Sequence, residues 1–238
     1  MKRLLLIINI VLLSCNLMAQ TMNHPLSDDK LMHYGGFVGV NFPSYIIDFD
    51  ESKADVIQPK IGYGLVIGGY VDVRLCRYLN LKLSPSINFN TANIQKIQQI
   101  QKTQQTDTNQ TELLTMPISI PLELKWSAER EKNYRPFVIV GGGVSFDMNH
   151  TGEGKKIFTK AINYFVEGGF GCDFYTKWFR CSPEIKYQIG FNDMCMPKDK
   201  WGKEGYGWAP EDNDYSYIDS IERLLFHQIS LIINFGSL

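Results

Sequence analysis

Side chains that could serve as catalysts or metal ligands are few and scattered in this 238-residue chain. Its histidines are His24, His33, His150 and His227. None belongs to a His-x-x-x-His motif or lies beside paired carboxylates, and such spacing is what a metal centre or a general acid–base pair needs. Asp219, Glu222 and His227 are the only acid–histidine group that we would mutate to test for an enzyme. We expect no enzyme and no catalytic, cofactor or metal site.

Ten charged residues follow a more informative pattern, because each alternates along the chain with apolar neighbours. They comprise five acids and five bases: Asp72, Arg74, Lys82, Glu123, Lys125, Glu167, Asp173, Arg180, Glu184 and Lys186. Side chains of this kind can pair into a structural network, or they can line a path for protons or ions. The equal numbers favour the network, since an unpaired charge inside a protein is costly.

A third group consists of aromatic residues in one long segment near the C-terminus. It contains Trp201, Tyr206, Trp208, Tyr215 and Tyr217, interspersed with glycines. Aromatic side chains on a loop are typical of surfaces that bind a partner. The alternative is that the loop folds over the rest of the molecule.

The elements that position these residues begin with an export signal. Met1, Lys2 and Arg3 precede an apolar run over residues 4–13, which is the length of a signal-peptide core and too short to cross a bilayer as a helix. Cleavage after Ala19 is predicted; the competing site lies before Cys15, in a lipobox-like context. We expect a signal peptide over residues 1–19, a periplasmic linker over 20–32 and one domain over 33–238.

Composition narrows the class of that domain. The net charge is -1, so no basic excess is present for binding nucleic acid. The mean hydropathy of -0.16 argues against a helical membrane protein, but it is compatible with a membrane barrel whose strands alternate apolar and polar residues.

Strict alternation recurs in seven segments, which is the pattern of strands with two different faces, and a glycine-rich first segment completes a set of eight. The segments are residues 33–42, 63–75, 79–90, 114–126, 138–149, 162–174, 179–192 and 227–235. Connections alternate between short ones (76–78, 127–133, 176–177) and long ones (43–60, 94–111, 150–161, 193–226). The sequence therefore predicts an all-β fold: an eight-stranded antiparallel up-and-down transmembrane β-barrel with long extracellular loops and short periplasmic turns.

The direction of each face follows from burial energetics. Apolar residues facing lipid and charged residues facing the lumen satisfy both solvents, whereas the reverse would expose most of the apolar surface to water at a cost of about 25 cal/mol per Å². Eight strands leave an interior just wide enough for side chains. The ten charged residues are therefore predicted to plug the lumen.

Turn lengths predict which residues face each other. A three-residue turn at 76–78 places Asp72 opposite Lys82, and a two-residue turn at 176–177 places Glu167 opposite Lys186 and Asp173 opposite Arg180. The second turn also places Cys172 opposite Cys181, close enough for a cross-strand disulfide in an oxidising compartment. The alternative is two reduced cysteines facing lipid.

The placed strands resemble the PorT family of the Bacteroidetes, a branch of the outer-membrane β-barrel proteins. The resemblance covers most of the mature chain and is carried by residues 33–41, 70–75, 78–85, 117–125, 135–137, 182–186 and 218–224. The blocks at 74–85 and 182–184 are its most specific parts, whereas a glycine-rich first strand is common among barrels. The C-terminal Phe-Gly-Ser-Leu departs from the aromatic ending of many barrels.

The resemblance implies a non-enzymatic outer-membrane component of the type IX secretion system, which exports proteins that carry a C-terminal signal. Its expected partners are outer-membrane lipid and other secretion-system subunits, with no nucleic acid and no small-molecule substrate. The alternative function is a small barrel that acts as a receptor, a solute channel or a general structural protein of the membrane.

Overall fold

The computed structural model describes residues 30–49, 56–99, 106–148, 160–194 and 221–237. The predicted signal peptide, the start of the linker and the aromatic segment with Trp201, Tyr206, Trp208, Tyr215 and Tyr217 lie outside these ranges. Within them, no helix has the length and apolarity that crossing a membrane requires. The regular structure that is described consists of β-strands.

Ten strand segments run along the described chain. They are β1 (Met32–Phe49), β2 (Val56–Arg74), β3 (Leu79–Leu83), β4 (Ser86–Gln99), β5 (Thr106–Thr115), β6 (Pro117–Ser127), β7 (Tyr134–Asp147), β8 (Ile162–Tyr175), β9 (Arg180–Gly190) and β10 (Ile221–Gly236). Segments β3 and β4 are separated only by Ser84 and Pro85, and β5 and β6 only by Met116. Segments β3 and β4 both pair with β2 and β6, and β5 and β6 both pair with β4, so the ten segments form eight barrel strands.

The sheet closes on itself through β1, which pairs antiparallel with both β2 and β10. All other neighbours are also antiparallel and adjacent in chain order. A closed sheet has no exposed edge strand, so its backbone groups pair without help from solvent. The predicted eight-stranded antiparallel barrel is confirmed.

The strands next to two predicted long loops extend farther than alternation indicates. Strand β1 continues to Phe49 and β2 begins at Val56, while β4 and β5 pair as far as Gln99 and Thr106. Most of the predicted loops 43–60 and 94–111 is therefore strand. The ends of β4 and β5 are rich in Gln, Thr and Asn, so their sequence lacks the regular apolar–polar alternation that reveals a strand.

Burial alternates along the barrel wall as the two-faced pattern predicts. In β9, Arg180, Ser182, Glu184, Lys186 and Gln188 are buried, whereas Pro183, Ile185, Tyr187 and Ile189 between them are exposed. Strand β6 behaves in the same way around Glu123 and Lys125. Polar and charged residues thus point into the lumen, and the apolar residues form the outer surface.

The hairpin between β8 and β9 corrects one predicted register. Thr176 donates its backbone N–H to the carbonyl of Phe179, 3.1 Å away, so the two-residue turn is Lys177-Trp178. The Thr176 hydroxyl also donates to that carbonyl and accepts the Phe179 N–H, which extends the ladder beyond the predicted turn. Every pairing moves by two residues, so Glu167 faces Gln188 and Cys181 faces Phe174. The shift preserves which face each side chain occupies.

Candidate functional site

The lumen holds the charged residues that the sequence singles out. Nine of the ten have exposed fractions between 0% and 7%, and these are Asp72, Lys82, Glu123, Lys125, Glu167, Asp173, Arg180, Glu184 and Lys186. Arg74 is half-buried near the end of β2, where its backbone N–H donates to the Leu31 carbonyl. Burial this complete shows that no wide water-filled channel passes these side chains.

Five of the nine form a central cluster: Lys82, Glu123, Glu167, Glu184 and Lys186. Lys186 Nζ contacts Glu123 Oε1 closely and lies 3.4 Å from Glu184 and 3.7 Å from Glu167. Lys82 Nζ lies 3.0 Å from Glu184 and 4.0 Å from Glu123. Two ammonium groups thus hold three carboxylates, and the Lys82 contact joins β3 to β9 across the barrel.

The other four form a turn-side cluster: Asp72, Lys125, Asp173 and Arg180. Lys125 Nζ donates to Asp173 at 2.7 Å and lies 3.7 Å from Asp72. Arg180 Nη2 lies 3.7 Å from Asp72 and 3.4 Å from the Tyr70 hydroxyl. Two acids balance two bases, and the ammonium of Lys125 also lies 4.0 Å from the centre of the Phe137 ring.

The observed ion pairs differ from those that strand register alone predicts. Asp72 does face Lys82 across the β2–β3 pair, as predicted, but Lys82 reaches over to Glu184 instead. Glu167 and Lys186 are not opposite each other, yet they form an ion pair at 3.7 Å. Lysine side chains are long enough to cross the narrow lumen, so partners are set by three-dimensional proximity more than by pairing within one hairpin.

Neutral residues that the sequence interpretation did not single out complete the network. The Ser84 hydroxyl donates to Glu123 at 2.7 Å, Asn80 Nδ2 donates to Asp72 at 2.7 Å, and Ser182 donates to Asp173. These bonds satisfy carboxylate oxygens that would otherwise be buried without partners, which matters because an unsatisfied buried group costs about 1–3 kcal/mol. All three residues share the inward parity of the charged residues, which is the signal that could have identified them.

An apolar group also fills the interior beside the central cluster. Phe37, Val66, Tyr70 and Ile232 are buried together inside the barrel. Phe37 lies against Gly68 of the neighbouring strand, where an added Cβ would collide with its ring. Large inward rings thus occupy the space that glycines leave on adjacent strands, and they help to close the lumen.

The two cysteines near the β8–β9 hairpin do not face each other. Cys172 pairs with Pro136 of β7, Cys181 faces Phe174, and both thiols are free. Of the two alternatives, the structure therefore has the reduced pair and not the Cys172–Cys181 disulfide, because the turn lies one residue later than predicted. Within the described ranges, no three His, Cys, Asp or Glu side chains are placed to hold a metal ion.

The outer surface is apolar around the barrel wall, with large exposed residues on every barrel strand, among them Val38, Leu65, Leu122, Val140, Phe170, Ile185 and Leu231. A surface of this kind suits lipid and would be unfavourable in water. The outer membrane protein beta-barrel domain family matches residues 18–195 of the chain. The chain belongs to this family. The apolar wall, the closed antiparallel barrel and the family together place this β-barrel domain protein in the outer membrane.

A solved structure gives a further comparison for this outer-membrane barrel. The chain is similar to the crystal structure of the outer membrane protein OprG from Pseudomonas aeruginosa, with 10% sequence identity and a TM-score of 0.47. The similarity covers 87% of this chain and 94% of OprG. No curated protein matches the sequence.

Proposed function

We propose that this outer-membrane barrel is a non-enzymatic and non-conducting component of the type IX secretion system, needed to bring cargo with a C-terminal signal to the cell surface. The observation that carries the non-conducting part is the charge network across the lumen. The sequence resemblance to the PorT family supports the choice of secretion system.

The network makes transport through the lumen unfavourable. A solute would have to separate Lys82 from Glu184, whose ion pair crosses the barrel at 3.0 Å and is buried at both ends. Breaking a buried pair of this kind costs about 3–5 kcal/mol, and Lys186 adds three more carboxylate contacts beside it. A barrel closed in this way acts through its surfaces, not through its interior.

Two parts of the chain are candidates for contacts with other subunits. One is the end with the short turns, where Arg135 ties two turns together by donating to the carbonyls of Ala128 and Arg77 at 2.9 and 2.8 Å. The other is the aromatic loop with Trp201, Tyr206, Trp208, Tyr215 and Tyr217, which lies outside the described residues. We propose the aromatic segment as the partner-binding surface, because aromatic residues often dominate the binding energy at interfaces.

The non-enzymatic part of the proposal concerns Asp219, Glu222 and His227. His227 Nδ1 lies 3.0 Å from the Tyr187 hydroxyl on the β9–β10 wall, and the side chains of the two acids lie outside the described part of the chain. We expect the variant Asp219→Asn/Glu222→Gln to support cargo export as the unmodified protein does. Loss of export in that variant, with normal amounts of the barrel in the membrane, would support an enzymatic role for these residues.

Gene deletion tests the proposal directly. We expect the deletion strain to lose surface display of cargo with a C-terminal signal, and the unmodified gene to restore it. The variant Trp201→Ala/Trp208→Ala should restore display poorly, whereas the control Trp178→Ala, on the short-turn end, should restore it fully. Normal cargo display in the deletion strain would refute the secretion role and leave the receptor, solute channel or structural protein as the remaining functions.

A further inference from the structure

The central cluster of the lumen holds more acids than bases. Three carboxyl groups, those of Glu123, Glu167 and Glu184, share the ammonium groups of Lys82 and Lys186. If all five groups were ionised, the cluster would carry one net negative charge on side chains that are 0–7% exposed. A buried charge without a counter-charge is strongly unfavourable. The folded barrel therefore has to neutralise this charge with a bound proton or a bound cation.

Neighbouring groups do not supply the missing positive charge. In the turn-side cluster, two acids already balance two bases. Arg74 is the last residue of β2, whereas Glu167 lies eight residues before the end of β8, so about 26 Å of strand separates Glu167 from the turn end. The small cavity beside Glu167 and Lys186 is otherwise lined by neutral side chains from β1, β2, β4, β6, β9 and β10. The imbalance is thus local to the central cluster.

A glycine brings two of the three carboxyl groups together. Glu123 of β6 and Glu167 of β8 both lie opposite Gly141 of β7, one on each side of it. Gly141 has no side chain to separate them, and an added Cβ would lie 3.1 Å from Glu123 Cγ. The two carboxyl groups consequently lie within hydrogen-bonding reach of each other. A hydrogen bond between two carboxyl groups needs a proton, because an ionised carboxylate can only accept.

The hydrogen-bond partners of the three acids indicate which of them carries this proton. Both oxygens of Glu184 accept hydrogen bonds from Lys82, and Glu123 accepts one from Lys186. Glu167 Oε1, in contrast, has no hydrogen-bond partner in the described part of the chain and lies 3.7 Å from Lys186 Nζ. Hydrogen bonds to its oxygens favour an ionised carboxylate, whereas burial without them favours the neutral acid. Glu167 is the acid with the fewest such bonds.

We propose that the central cluster binds one proton, which Glu167 carries and donates to Glu123, and that this proton makes the network neutral at neutral pH. Release of the proton at higher pH leaves three carboxylates around two ammonium groups and loosens the plug. A sodium ion is less suited to the site, because the ammonium group of Lys186 already lies against all three carboxyl groups. The proton site depends only on the lumen, so it is independent of the secretion role.

Infrared spectroscopy of the full chain in lipid vesicles tests the proton directly, since a protonated carboxyl group has a C=O stretching band that an ionised one lacks. We expect this band in the unmodified protein at neutral pH and its loss in Glu167→Gln. The matched control Glu129→Gln changes an exposed carboxylate, that of the Arg77–Glu129 pair, and should keep the band. Circular dichroism establishes that both variants are folded. Absence of the band from the unmodified protein, or its full retention in Glu167→Gln, would overturn the proposal.

The pH dependence of unfolding gives an independent measurement. In the unfolded chain Glu167 is an ordinary glutamate, ionised above about pH 5, so folding takes up one proton at neutral pH. Uptake of one proton lowers the folding equilibrium constant by up to about ten-fold for each unit of rising pH. In urea titrations, we expect the folding constant of the unmodified protein to fall relative to that of Glu167→Gln as the pH rises from about 5 to 7, and to stay constant relative to that of Glu129→Gln.

Two results of these titrations would overturn the proposal. One is the same pH profile for the unmodified protein and Glu167→Gln, which would show that Glu167 takes up no proton on folding. The other is a folding constant that rises with sodium concentration at constant ionic strength and does not change with pH relative to Glu167→Gln, which would indicate a bound cation in place of the proton.

Discussion

Replacing Lys186 by methionine is the most informative perturbation of the lumen. The substitution keeps the length of the side chain and removes the ammonium group that contacts three buried carboxylates, those of Glu123, Glu184 and Glu167. Only Lys82 then remains as a cation in the central cluster, at 3.0 Å from Glu184 and 4.0 Å from Glu123. Glu167 loses its ion pair with Lys186, in which the two groups lie 3.7 Å apart.

The magnitude follows from the cost of leaving charge buried. Breaking a buried ion pair by removing one partner costs about 3–5 kcal/mol, because the remaining charge is uncompensated. Lys186 lies among carboxylates that are 0–7% exposed, so solvent gives little relief. We therefore expect the free energy of unfolding to fall by about 3–5 kcal/mol. The double variant Lys186→Met/Glu123→Gln should recover part of this loss, since it also removes one stranded carboxylate.

Urea titration of the protein folded into lipid vesicles, followed by tryptophan fluorescence, measures the effect. The control is Arg77→Met, which removes a cation from the exposed Arg77–Glu129 pair and should cost less than about 1 kcal/mol. A loss below about 1 kcal/mol in Lys186→Met, equal to that of the control, would refute the view that the network holds the interior together.

Three further predictions address the wall, the strand contacts and the thiols. Val140 lies near the middle of β7 and Met148 just beyond its end, and their side chains are 63% and 62% exposed. In the same unfolding assay, Val140→Arg should cost about 2–4 kcal/mol and Met148→Arg about 0–1 kcal/mol, because a charge facing lipid costs most at the middle of the bilayer. Equal costs would contradict the view that the middle of β7 lies at the middle of the bilayer. Gly171→Ala should destabilise the barrel by about 1–3 kcal/mol, because the added Cβ would lie 2.5 Å from Phe137 Cζ. The control Gly168→Ala, whose Cβ would have its nearest contact at 3.8 Å, should be close to neutral. Similar losses in the two variants would argue against the packing of the Phe137 ring on Gly171. Mass spectrometry after alkylation without reduction should find both Cys172 and Cys181 modified, and a disulfide-linked peptide pair would restore the register that the structure contradicts.

The alternation of apolar and polar residues predicts much of this fold, because each membrane strand has one face toward lipid and one toward the lumen. In β9 the alternation from Arg180 to Gln188 identifies the inward residues without error. The extension of β4 and β5 to Gln99 and Thr106 had no such signal, because the sequence there is mostly polar and its two isoleucines, Ile94 and Ile97, have opposite parity. Alternation depends on contrast between faces, so it marks the part of a strand that lies in lipid and not the part that continues beyond it.

Register and partner choice were less accessible from sequence than the faces. The β8–β9 turn lies one residue later than predicted, because the Thr176 hydroxyl extends the hydrogen-bonded ladder between the two strands. This contact cannot be inferred from composition. A shift of two residues in the pairing leaves each side chain on the same face of the sheet. The inward-facing residues were therefore predicted correctly, whereas the residues predicted to lie opposite Asp173 and Cys172 on β9 were wrong. Ion pairs across the lumen, such as Lys82 with Glu184, depend on the closed geometry of the whole barrel.

Electrical recording tests the closed lumen most directly. The purified full chain, inserted in a planar bilayer at physiological salt, should give no steady conductance over the background of the membrane, since buried ion pairs at 2.7–3.0 Å cross its interior. Insertion can be verified independently by protease protection of the reconstituted protein. A steady conductance that scales with salt concentration and with the amount of inserted protein would show an open path, and it would contradict the account of a plugged barrel that acts through its surfaces.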